Sequence, residues 1–191
     1  ELSKQVAKRL WDELGLPSFL YEDSASRPER RNLAACRKGQ FEGLAVKMKD
    51  PMWVPDYGPH TIHPTGGATA IGARMPMVYF NINLDTPNVE IAREISKRVR
   101  NISGGLHYVK AMGILSEDRN LAQVTMNLTD YTKSSLYSVF EMVKMEARRY
   151  GARVVGSEVV GILPMQALLD CAEYYLQIED FSVEQVLEFH L

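Results

Sequence analysis

Two of the chain's four histidines, His60 and His63, stand three residues apart in the stretch GPHTIHPTGGATAIGAR (58–74), among four glycines, two prolines and three threonines. Imidazole is both the usual acid-base group near neutral pH and a common metal ligand, so the pair has two chemistries open to it. A metal site needs three or four ligands, and the only nearby acid is Asp56, which Pro55 and Gly58 hold in an irregular turn. The spacing therefore predicts no metal. Gly67 and Gly72 have the GxxxxG spacing of a phosphate loop, but Ala73 and Arg74 follow where Lys and then Ser or Thr are required. No strand-turn-helix pattern surrounds the glycines, so the dinucleotide fingerprint fails as well. Two readings stay open: an inter-domain linker, or a wall where stripped backbone and the hydroxyls of Thr61, Thr65 and Thr69 meet a planar, many-edged heteroaromatic.

A second group of polar residues follows strand periodicity. In MVYFNINLD (77–85), Val78, Phe80, Ile82 and Leu84 alternate with Met77, Tyr79, Asn81 and Asn83. In LAQVTMNLTD (121–130), Val124, Met126 and Leu128 alternate with Gln123, Thr125, Asn127 and Thr129. Asparagine is depleted in strands, so this face is either a solvated surface or a neutral binding wall. RNA-binding sheets carry basic and stacking aromatic residues instead, and only Tyr79 has that character. In GSEVVG (156–161), Glu158 sits in an apolar run, as an exposed edge charge or as a partly buried carboxylate near a ligand. No Ser-His-Asp or Cys-His order with a supporting motif marks a nucleophile.

The elements that must position these residues follow from period and punctuation. Leu2, Val6, Leu10 and Leu14 form one helical stripe that Gly15 closes, and a strand follows over 17–23. Pro28 opens a helix to Lys38, and a short helix over 40–50 stops at Pro51. Prolines and glycines then exclude long regular elements before residue 74. Beyond it come a strand (77–85), a helix entered at Thr86-Pro87 whose stripe runs through Ile91, Ala92, Ile95, Val99 and Ile102, two strands in hairpin spacing (108–118 and 121–130), a helix (134–150), a strand (154–164) and a closing helix. This β-α-β-β-α-β order predicts an α+β fold, the ferredoxin-like sandwich with two helices on one face of an antiparallel sheet. The opening helix and strand match the last two elements of a preceding copy. The expected division is 1–72 and 73–191.

With 46% hydrophobic and 24% charged residues and a net charge of −2, the composition is that of a globular domain without a basic footprint for nucleic acid or an anionic membrane. No run approaches the ~18 apolar residues of a membrane span. Cys36 and Cys171, far apart in helical patterns, read as reduced thiols in a cytoplasmic protein. A homodimer is the default assembly for a soluble enzyme.

The runs PDYGPHTIHPTGGATAIGARMPMVYFNINLDT, SGGLHYVKAMG, LAQVTMNLTDY and VVGSEVVGILP closely resemble the formiminotransferase family, and the resemblance covers essentially the whole chain. It implies two ferredoxin-like subdomains with folate in a groove between them, and transfer of a formimidoyl group from N-formimidoyl-L-glutamate to N5 of tetrahydrofolate, in histidine degradation, without a metal. It further implies that Gly58, Pro59, His60, Thr61, Ile62, His63, Pro64, Thr65, Gly66 and Gly67 bind folate and cross between the subdomains. Asn81, Asn83, Gln123 and Asn127 would line the substrate. The family's catalytic histidine lies in a His-x-Gly-Glu-His-Pro-Arg stretch that these 191 residues do not contain. Its role passes to none of His60, His63 or His107, so no catalytic residue is expected in this chain. Taken alone it would be inactive, or a piece of a longer enzyme; the cyclodeaminase domain that some relatives carry fused is not expected within these 191 residues. The competing expectations are a non-catalytic folate-binding module and a transferase that uses a formyl donor.

Overall fold

The computed structural model describes residues 1–191, which fall into two units, Glu1–Arg74 and Met75–Leu191. The first unit opens with α1 (Leu2–Leu14), which Gly15 ends in the left-handed conformation (φ 63°), its N–H turned back to the carbonyl of Trp11 while Leu16 N donates to Leu10 O. Within this chain only Ala7 of α1 is buried, and the predicted stripe is left largely exposed at Leu2, Val6 and Leu14. Strand β1 (Ser18–Glu22) follows.

The single helix expected over 28–38 is instead two pieces. A 3-10 turn, Pro28–Arg30, precedes α2 (Leu33–Arg37), because the Asn32 side chain accepts a hydrogen bond from Ala34 N and starts a new helix there. Helix α3 (Gln40–Lys47) comes next, and its Lys47 ammonium reaches back to the carbonyls of Ala35, Cys36 and Lys38, where α2 ends. A cation at the C-terminus of a helix satisfies orphan carbonyls and complements the dipole. The Pro- and Gly-rich segment hides one short strand, β2 (Thr69–Ala73), which pairs in parallel with β1 from Ser18↔Thr69 to Glu22↔Ala73. Ala70, Gly72 and Ala73 are poor strand formers and only Thr69 and Ile71 favour a strand, so pairing with β1 decides the conformation.

The second unit runs β3 (Val78–Leu84), α4 (Val89–Val99), β4 (Val109–Ser116), β5 (Leu121–Leu128), α5 (Leu136–Arg149), β6 (Val154–Val160) and α6 (Met165–Leu176). Its four strands lie in the order β4-β5-β3-β6, and every neighbouring pair is antiparallel. Since β5 separates β3 from β4 and β3 separates β5 from β6, each β-α-β crossover skips one strand. This is the split βαβ arrangement of the ferredoxin-like fold.

Val78, Phe80, Ile82 and Leu84 of β3 and Val124, Met126 and Leu128 of β5 meet Ala92, Ile95 and Val99 of α4 and Leu136, Val139, Val143 and Ala147 of α5 in one core. The alternation therefore assigns the faces correctly. Helix entries differ from the expected ones by one or two residues: Asn88, not Thr86 or Pro87, caps α4, and Ser135 caps α5. Ile102, placed on the α4 stripe by period, lies past the helix end and is 87% exposed. No helix is long and apolar enough to cross a membrane.

Candidate functional site

The stretch 58–67 lies wholly within the first unit, ahead of β2. Its tip is a closed turn. His63 N donates to Gly67 O at 2.8 Å and Gly67 N donates to His63 O at 2.9 Å. Inside the turn, His63 Nδ1 receives the backbone N–H groups of Gly66 (3.0 Å) and Thr65 (3.3 Å). An acceptor Nδ1 carries no proton, so these contacts fix the tautomer with hydrogen on Nε2. His63 is thus committed to holding its own loop. His60 is exposed and takes part in no hydrogen bond, while His107 packs edge-on against Tyr108 and His190 meets Glu184 O.

The glycines of this stretch meet mostly the protein itself. A Cβ on Gly58 would lie 2.9 Å from the Trp11 ring and 3.0 Å from Pro17 Cα, and one on Gly66 would lie 2.4 Å from Leu16 Cδ2. Gly67 is buried at φ 66°, a conformation costly for other residues, and a Cβ there would lie 3.1 Å from the Phe41 ring. Gly66 and Gly67 border a cavity of about 530 Å³ that Phe19 and Tyr21 of β1, Cys36 and Arg37 of α2 and Gln40 and Phe41 of α3 also line, among others. That volume falls in the range of small-molecule sites. Gly58 through Thr65 lie outside it. Beneath β1, the buried Arg30 donates to Asp56 Oδ2 at 2.6 Å and to the carbonyls of Met52 and Val54, while Leu20 N and Ser26 Oγ also donate to Asp56. This pair ties β1 to the start of the stretch.

In the second unit the amide face is the side of the sheet turned away from α4 and α5. The register sets Tyr79 opposite Asn127, Asn81 opposite Thr125 and Asn83 opposite Gln123. Four residues expected to act alike have two different roles. Asn83 and Gln123 are 0% and 5% exposed, and Gln123 Nε2 donates to Asn83 Oδ1 at 2.8 Å. Asn83 Nδ2 in turn donates to Glu158 Oε1 at 3.0 Å, and Arg119 Nη1 donates to the same oxygen at 3.1 Å. Asn81 and Asn127 are half-buried, and their amides make no hydrogen bond within the protein. Buried amides that satisfy one another stiffen a sheet, whereas unpaired half-buried ones are available to a ligand.

Neither Arg119 nor the Arg30–Asp56 pair was singled out in the sequence. Arg119 lies in a polar turn like any other, and Arg30 sits in a charged run, PERR, where burial leaves no signal. Glu158 did leave one, as a lone carboxylate in a β-branched strand.

Residues 1–74 match the family model described as "Formiminotransferase domain, N-terminal subdomain", and residues 79–189 match "Formiminotransferase domain". The chain belongs to the formiminotransferase family. Glutamate formimidoyltransferase of Streptococcus pyogenes serotype M1 is 59% identical over 192 residues, covering 100% of this chain and 64% of that protein. The protein of the same name from Thermoplasma acidophilum is 43% identical, over 98% of this chain and 62% of its own length. Formimidoyltransferase-cyclodeaminase of Mus musculus is 40% identical, over 95% of this chain and 34% of its own. The chain thus spans less than two thirds of the length of these formiminotransferase relatives.

The thiols of this formiminotransferase chain give a measurable check on two sites, Cys36 at the cavity wall in the first unit and Cys171 on α6 in the second. Burial pushes the thiols of Cys36 and Cys171 up, and the thiolate is the species that reacts. Iodoacetamide should modify both residues more slowly in the native chain than in denaturant near neutral pH, with the native rate levelling off at a higher pH than the denatured one. Peptide mass spectrometry over a pH series reads this directly, and equal native and denatured rates would contradict the burial of the two sites.

Proposed function

We propose that this chain forms part of a folate-dependent transferase that moves the formimidoyl group of N-formimidoyl-L-glutamate to N5 of tetrahydrofolate. The observation that carries the reading is the identity to glutamate formimidoyltransferases along essentially the whole chain, in both units. The chemistry of the chain's polar groups supports it. A pterin is flat and neutral with hydrogen-bonding edges, which suits Gly66, Gly67 and the aromatic-walled cavity beside them better than it suits a charged cradle. We assign residues 58–67 to folate binding, with His63 holding the loop rather than exchanging protons. Asn81 and Asn127 offer free amides to the glutamate substrate, and Asn83 and Gln123 position the strands beneath.

The attack of N5 on the formimidoyl carbon needs a group to accept the N5 proton, and the reading leaves that task to residues outside these 191. The test is transfer by the intact protein, with formimidoyl-tetrahydrofolate detected by mass spectrometry. Turnover that requires both tetrahydrofolate and N-formimidoyl-glutamate is the expected result. Tight folate binding without turnover would favour a binding module instead, and transfer from N-formyl-glutamate alone would favour the formyl donor.

A further inference from the structure

The hydrogen-bond chain on the open sheet face ends in a carboxylate that is used on one side only. Gln123 orients Asn83, Asn83 orients Glu158, and both Asn83 Nδ2 and Arg119 Nη1 donate to Glu158 Oε1. Glu158 Oε2 receives no donor from the protein, and the side chain is 42% exposed. Across the strand pair, Glu158 stands opposite Asn81, and Asn81 stands opposite Thr125. Neither Asn81 nor Thr125 uses its side chain in a hydrogen bond within the protein. The face thus presents one oriented anionic oxygen beside a neutral amide and a hydroxyl.

We infer that Glu158 is the residue that recognises the formimidoyl group, through a charge-assisted hydrogen bond from the group's N–H to Oε2. This rests on the proposed function and deepens it. A formimidoyl group is an amidine, a strong base that carries a positive charge near neutral pH and presents planar N–H donors. A carboxylate oxygen held from behind matches such a donor at the distance and strength of an ionic hydrogen bond. A formyl group is neutral and has a carbonyl oxygen at the corresponding position, which an anionic oxygen repels. Glu158 would therefore set the choice between a formimidoyl and a formyl donor, which neutral Asn81, Thr125 and Asn127 cannot make. Asn83, Gln123 and Arg119 are positioning residues that keep Oε1 occupied and Oε2 turned outward.

The test compares the intact wild-type enzyme with Glu158→Gln, which preserves an acceptor for Asn83 and removes the charge. The KM for N-formimidoyl-glutamate should rise about 10- to 100-fold, as expected for loss of a hydrogen bond to a charged group. The KM for tetrahydrofolate and the inhibition constant of N-formyl-glutamate should stay within about twofold, a span too small to reflect a lost bond. Glu158→Asp, which keeps the charge on a shorter arm, should recover part of the loss. An unchanged KM for N-formimidoyl-glutamate, or an equal weakening of the formimidoyl and formyl compounds, would overturn the inference. Should the wild type transfer no formimidoyl group, the proposed function fails. Calorimetric titration with formamidinium then decides the inference alone, since weaker binding by Glu158→Gln supports it and equal binding refutes it.

Discussion

Replacing Arg30 by Met should destabilise the first unit by about 3–5 kcal/mol, the range for breaking a buried ion pair from one side. Arg30 is 1% exposed and its partner carboxylate on Asp56 11%. Methionine fills the aliphatic part of the space but leaves Asp56 with only Leu20 N and Ser26 Oγ as donors, and it strips the donor from Val54 O, while Met52 O keeps Arg27 Nη1. The guanidinium also lies 5.2 Å from the Phe19 ring centre, a contact the thioether does not replace in kind. Both tryptophans, Trp11 and Trp53, belong to the first unit, so the urea midpoint from tryptophan fluorescence reports on it selectively. Arg30→Met combined with Asp56→Asn should lose clearly less than the sum of the two single variants, because the second change removes the stranded charge. Additive losses would mean that the pair acts only by filling space.

Gly113→Ala should cost the second unit about 3 kcal/mol or more, at the upper end of overpacking, because nothing near the new methyl can turn aside. A Cβ built there lies 2.2 Å from Arg93 N, 2.4 Å from Ala92 C and 2.6 Å from Arg93 Cα. All three are backbone atoms of α4, so the whole helix must lift from β4. Gly156→Ala in β6 is the matched control, since a Cβ there meets nothing within 4 Å, and it should change stability by no more than about 0.5 kcal/mol. Chemical denaturation by far-ultraviolet circular dichroism compares the two, with hydrogen exchange of the α4 amides locating the damage. Equal stability of the two variants would show that α4 does not approach β4 this closely.

The second unit was largely legible from residue order, and the reason is period. Val78, Phe80, Ile82 and Leu84 alternate because a strand has two faces, and the α4 and α5 stripes recur because a helix has one buried side. Such signals are local and survive in a bare string of letters. The helix ends were less legible, since Thr86, Asn88, Ser134 and Ser135 are all capable caps and a hydrogen bond selects among them. In the first unit, β2 could not be read at all. TAIGA has no strand pattern of its own, and its partner β1 lies some fifty residues earlier.

The same division runs through the candidate site. Sequence by itself determined the family, the polar face of the second sheet and the oddity of a carboxylate in β6. Tertiary structure alone decided that His63 is consumed by its own turn and that Gly58 and Gly66 are small for Trp11 and Leu16. It also separated Asn83 and Gln123, which hold Glu158, from Asn81 and Asn127, which stay free. The physical reason is that residue type and period fix which groups a face carries. Which of those groups satisfy one another depends on register and burial across strands about 40 and 75 residues apart in the chain.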